Sequence, residues 1–171
     1  MPQVAYIKIT GAKQGLITAG CNTPESVGNK YQQDHTDEST VIKFDHELMI
    51  PRDPQTGQPT GQRVHKPLCF KKRYDKASPL LFQALCTGER LTEVEIKWYR
   101  TTMEGTQEHY FTHKLTDALL INIQGEMTLA TDVSLDYRDH EENLCMTYRK
   151  IEWTHEVAGT SGSDDWRAPK T

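Results

Sequence analysis

Polar and apolar residues alternate along much of this chain. Between residues 41 and 50, Ile42, Phe44, His46, Leu48 and Ile50 fall on one side of an extended backbone, and Lys43, Asp45 and Glu47 on the other. Val94, Ile96 and Trp98 alternate with Glu93, Glu95 and Lys97. Ile151, Trp153 and Val157 alternate with Lys150, Glu152, Thr154 and Glu156. A period of two marks strands with one buried and one wet face. Further strands are predicted over residues 3–9, 63–73, 107–123 and 127–137, so the chain reads as mainly antiparallel β. Trp98, Tyr99, Tyr110, Phe111, Tyr148 and Trp153 lie in these strands, where core packing accounts for them.

One segment breaks the alternation. Ser78 and Pro79 suit the start of a helix and Gly88 suits its left-handed close, which predicts one short helix over about residues 78–87. Leu81, Ala84 and Leu85 form its apolar stripe, fit for a plug or lid across a sheet. Residues 51–62 hold three prolines and two glycines and form a long, stiffened excursion between two strands. The end of the chain, from Gly159, is small and polar, a composition common in mobile termini. Trp166 stands out there, because a large ring in a polar tail usually docks on something.

Composition narrows the class. The 171 residues fit one domain, 36% of them hydrophobic and 26% charged, with a mean hydropathy of -0.70. The longest apolar run, Ala118-Leu119-Leu120-Ile121, is far short of the roughly 20 residues needed to span a bilayer as a helix. Met1 to Ile9 lacks the basic and apolar stretches of a secretory signal. With a net charge of -4 and only Lys71-Lys72-Arg73 as a basic cluster, nucleic acid is not an expected partner. Cys21, Cys69, Cys86 and Cys145 are too dispersed for a zinc module or disulfide scaffold, and the expectation is four reduced thiols.

Catalytic signatures fail on inspection. His46-Glu47 begins like a zinc-protease motif, but the fifth position is Ile50 and the segment reads as a strand. His109 and His113 would lie about 13 Å apart on a strand, too far to share a metal. Gly57 and Gly61 lack the Lys-Ser/Thr of a phosphate loop. Asp164-Asp165 reads as a solvated patch rather than a carboxylate pair. The expectation is a non-enzyme without metal or cofactor; an unrelated β-barrel ligand-binding module remains the alternative on these features.

Several stretches resemble a known family. Ile9-Thr10-Gly11-Ala12-Lys13-Gln14-Gly15-Leu16-Ile17-Thr18, the whole of residues 50–67, Asp75-Lys76-Ala77-Ser78-Pro79-Leu80-Leu81, and Tyr148-Arg149-Lys150-Ile151-Glu152-Trp153-Thr154-His155-Glu156 are similar to hemolysin-coregulated proteins (Hcp), tube subunits of the bacterial type VI secretion system. The match is weakest over residues 126–144. The resemblance implies a small antiparallel β-barrel of two sheets with one helix, spanning residues 1–158, followed by a polar tail over 159–171. It further implies a homohexameric ring that stacks into a hollow tube, assembled in the cytoplasm and secreted without a signal peptide. The implied partners are the sheath, spike protein and baseplate of the apparatus and small effectors in the lumen. A dedicated effector chaperone with little tube-building role is the family-level alternative. Ring closure needs a heterologous interface, and a proline-stiffened loop docks with little loss of entropy. Pro51, Arg52, Asp53, Pro54, Arg63 and His65 are therefore expected at or near subunit contacts.

Overall fold

A computed structural model describes residues 3–135 and 138–166. The strands are β1 (Ala5–Gly11), β2 (Gly15–Leu16), β3 (Ser39–Asp45), β4 (Leu48–Met49), β5 (Val64–His65), β6 (Leu68–Arg73), β7 (Leu91–Thr101), β8 (Gln107–Glu126), β9 (Glu141–Thr147), β10 (Lys150–His155) and β11 (Thr160–Asp165). Among the described residues two α-helices accompany them, the single turn α1 (Pro24–Val27) and the longer α2 (Ser78–Thr87), with short 3-10 turns besides.

Every pairing is antiparallel, and six strands close on themselves. The cycle runs β8-β7-β1-β3-β6-β9 and returns to β8. The 20-residue β8 makes this possible. One edge pairs with β7; the other pairs first with β10 and then with β9. The corner between its two halves is Asp117, held at a φ of 54° and ion-paired with Arg149 at 3.1 Å. Beyond the barrel, β10 and β11 widen the sheet. The second sheet is the two-stranded ribbon β4-β5. The expected mainly β architecture is present, with two sheets of very unequal size.

The core fills the barrel with Ile7, Ile9, Leu68, Phe70, Val94, Ile96, Leu115, Leu144, Met146 and Ile151, all essentially inaccessible to water. α2 lies over it through Leu81 and Ala84. Near one end of α2, Ser78 bonds Lys72 and Glu142 of β6 and β9. In the same first turn, the carbonyl of Leu80 accepts from Gln14 beside β2. Gly88 takes the left-handed conformation expected of a helix terminator, with a φ of 68°. The N-cap is Ala77, not Ser78; the Ser78 hydroxyl is engaged in the polar knot beneath the helix.

Several local expectations are corrected. The run 41–50 is two elements, β3 ending at Asp45 and β4 covering Leu48–Met49, and a bulge between Val41 and Lys43 shifts the phase at its start. Val41 is consequently buried while Ile42 is exposed. The run 63–73 is divided between β5 and β6, with Lys66 and Pro67 between them. Residues 127–135 form no strand; Asp136 and Tyr137 lie outside the described residues. Residues 160–165, expected to be loose, form β11 along β10. Cys69 and Cys145 form a disulfide, whereas Cys21 and Cys86 are free.

Candidate functional site

The ribbon β4-β5 is the stem of an arm whose tip is the proline-rich loop. Leu48 faces His65 and Met49 faces Val64 in register. Above them the loop is internally bonded. The Asp53 amide donates to Gln58 O and the Gly57 amide to Asp53 O, each at 2.8 Å. The Asp53 carboxylate accepts from the Gln55 amide, and the Thr60 amide donates to Pro51 O. Arg52 bridges to Pro59 across the loop. Gly57 sits at a φ of 75°, where a Cβ would be strained. The loop is therefore a preformed tip, and residues 54–62 are all exposed.

A buried chain of polar groups fastens the base of the arm to the barrel. His46 Nε2 and His65 Nδ1 each lie 2.7 Å from the Tyr148 hydroxyl. His65 Nε2 lies 2.7 Å from Asp164 Oδ2, which also accepts from Arg63 Nε at 2.6 Å. One set of protons satisfies the chain: His46 donates to the Tyr148 oxygen, Tyr148 donates to His65, and His65 donates to Asp164. Trp166 stacks on the His65 ring and donates its indole N–H to the carbonyl of Tyr148. Burial, followed by the charge of Asp164, raises the Tyr148 pKa and keeps its hydroxyl protonated. Burial and then His65 lower the pKa of His46; burial and then His46 lower that of His113 to about 4. His113 Nδ1 accepts from the Trp98 indole at 2.8 Å, a role open only to the neutral ring.

The six residues expected at contacts thus divide by position. Pro51, Arg52, Asp53 and Pro54 belong to the tip, whereas Arg63 and the buried His65 belong to the anchor. Asp164 is corrected from a solvated residue to a buried partner of both, because β11 and Trp166 carry it onto the arm's base. Tyr148 and Asp164 are the members that sequence reasoning missed as a pair. The signal was the misplaced Trp166, whose docking draws its neighbours inward.

Between the base of the arm and the barrel wall lies an open cleft of about 650 Å³ lined in part by His46, Pro67, Ile121, Cys69 and Cys145. Leu48, Met49, Ile50 and Val64 on the arm, and Leu119 and Ile121 on β8, are exposed apolar side chains. The outer face of the broad sheet is different. Lys8, Glu95, Lys114, Glu152 and Ser163 lie side by side across β1, β7, β8, β10 and β11. The flanking row Thr10, Glu93, Thr116, Lys150 and Asp165 is equally polar. No cluster of histidine, cysteine and carboxylate suited to a metal occurs among the described residues. No described helix is long and apolar enough to cross a membrane.

Comparison with known proteins gives this geometry a context. The family described as "Type VI secretion system effector, Hcp" matches residues 6–155. The chain is 60% identical over 169 residues to the "Major exported protein" of Pseudomonas aeruginosa, covering 99% of this chain and 98% of that one. A crystal structure of an Hcp protein superposes with a TM-score of 0.94 at 46% identity, covering 98% of this chain and all of the other. The "Secreted protein Hcp3 from Pseudomonas aeruginosa" superposes with a TM-score of 0.83 at 53% identity, with the same coverage. The chain belongs to the Hcp family of type VI secretion, a structural family and not an enzyme family.

Proposed function

We propose that six copies of this chain close into a ring through the arm, and that rings stack into a hollow tube exported from the cell with small proteins in its lumen. The observation that carries the reading is the arm itself. It has a preorganised tip, an apolar stem exposed at Leu48, Met49, Ile50 and Val64, and a buried anchor that fixes its direction. Such a surface fits the heterologous contact that closes a ring, because a patch on one subunit meets a different patch on the next. Pro51, Arg52, Asp53 and Pro54 touch the neighbour, and Arg63 and His65 hold the tip in place for it. The polar Lys-Glu-Lys-Glu face of the broad sheet lines the lumen, where alternating charge keeps the wall wet and discourages tight sticking. The names of the two Pseudomonas aeruginosa relatives support export. Assembly takes place in the cytoplasm beside sheath, spike and baseplate, and the chain leaves with the apparatus without using a signal peptide.

Replacing residues 51–62 with a short Gly-Ser turn tests this. The intact protein is expected to scatter light as a particle of six times 19.6 kDa and to show annular particles by electron microscopy. The replaced protein is expected to be a folded monomer that is not exported. A ring of unchanged mass with unchanged export would remove the arm from the assembly.

A further inference from the structure

Cys69 and Cys145 stand outside the arm's anchor, at the seam where the barrel closes. β6 and β9 complete the cycle of strands, and Cys69 lies directly opposite Cys145 in their register. Their Cα atoms are 4.1 Å apart, near the spacing of facing residues in a non-hydrogen-bonded antiparallel pair. Leu68 and Phe70 point inward on β6, as do Leu144 and Met146 on β9. The two sulfurs therefore lie on the outer wall. Both cysteines are partly exposed and line the cleft beneath the arm, within reach of small reagents. The other cysteines contrast with them. Cys21 is buried, with a thiol pushed up to about 11, mainly by that burial. Cys86 lies exposed on α2.

We propose that this pair is a redox-conditional staple, a dithiol inside the producing cell and a disulfide after export. The proposal rests on the export reading above. It reconciles a seam that closes as a disulfide with a compartment that keeps thiols reduced. The oxidant is a low-molecular-weight disulfide. One cysteine thiolate attacks a sulfur of the oxidant, breaking its S–S bond and expelling one small thiolate. The second cysteine gives up its proton to water and attacks the protein-side sulfur of the mixed disulfide. The Cys69–Cys145 bond forms and the second small thiolate leaves. Two electrons pass to the oxidant, which departs as two thiols after taking up two protons. The strand ladder holds the cysteines face to face before and after, so the barrel keeps its shape. The bond ties positions 76 residues apart and restricts the unfolded chain.

The full-length chain is equilibrated in glutathione buffers from reducing to oxidising, alkylated under denaturing conditions with a maleimide tag, and weighed intact. The number of tags is expected to fall from four to two, with peptide mapping placing the bond between Cys69 and Cys145. The oxidised form is expected to melt at least about 5 °C above the reduced form. In the double variant Cys69→Ser/Cys145→Ser, dithiothreitol is expected to leave the melting temperature unchanged. Cells alkylated at lysis should yield four tags in the cytoplasmic pool and two in the medium. Four reactive thiols in oxidising glutathione or in the medium, or the bond already present in the cytoplasm, would overturn the staple. Absence of the chain from the medium counts against export alone, because the glutathione titration still decides the bond.

Discussion

The barrel and the arm are each secured by a buried polar knot, made of different material. Under α2, Lys72 Nζ contacts Asp75 Oδ1 at 2.8 Å, Glu142 Oε1, and Ser78 Oγ at 3.1 Å. Ser39 and the Ala77 amide also donate to Asp75. Lys72 is 1% exposed and Glu142 not at all. At the arm's base the links are imidazole, phenol, indole and one Arg63–Asp164 pair, and the two imidazoles with lowered pKa values, His46 and His113, are held neutral. An ionic knot inside a barrel is stable only while complete, since a deserted charge there has no water to turn to. A knot made mostly of neutral hydrogen bonds, alongside the Arg63–Asp164 ion pair, loses one bond at a time. The first suits the part that must stay folded, and the second the part that must hold a direction.

Lys72→Met is the sharpest way to break the barrel's knot. It leaves Asp75 and Glu142 buried without their cation and is expected to cost about 3–5 kcal/mol in urea unfolding. Adding Glu142→Gln should restore part of the loss, because the deserted charge then goes too. Equal stability of Lys72→Met and the parent would show that the ion pairs contribute nothing net.

Tyr148→Phe breaks the arm's knot at its centre. The hydroxyl is the shared partner of His46 and His65, and its removal leaves two ring nitrogens short of a bond. The expected cost is about 1–3 kcal/mol, smaller than for Lys72. It should appear in hydrogen exchange as faster opening of β4, β5 and β11, with β1 and β7 unchanged. Uniformly faster exchange would mean that the two knots are one cooperative unit.

These knots also explain what was legible beforehand. The alternation at Val94, Ile96 and Trp98 and the helix stop at Gly88 depend on neighbours in sequence, and they match the structure. Phase failed only at Ile42, at the bulge between Val41 and Lys43, which the pattern of residue types does not mark; beyond it Phe44 and His46 are half-buried and Lys43, Asp45 and Glu47 exposed, as the alternation predicts. The anchor was hidden for a longer-range reason. Arg63 and Asp164 meet across 101 positions, so Asp164-Asp165 looked like an ordinary solvated pair until β11 docked. Compartment arguments about cysteine were equally blind to the register that sets Cys69 opposite Cys145. The tip of the arm was easier, since prolines and Gly57 state their backbone preferences locally.

Acid offers the gentlest way to separate the two knots. His113 falls to about 4 in the folded chain from an ordinary value near 6.5, and His46 is lowered as well. Between about pH 6.5 and pH 4 the unfolded chain therefore binds more protons at these rings than the folded chain does. Stability must then rise with pH across that window. The contribution is fully present above 6.5, is lost as pH falls through the window, and is exhausted below about 4. His113→Gln keeps an acceptor for the Trp98 indole and cannot titrate. At pH 7 it should change the melting temperature little, while the decline from pH 6.5 to 4 becomes shallower than in the parent. Carboxylates elsewhere titrate in both proteins, so the difference between the two curves isolates the ring. Parallel curves would mean that His113 is protonated as readily inside the fold as outside, and that the barrel-side imidazoles do not distinguish the arm's knot from the ionic one.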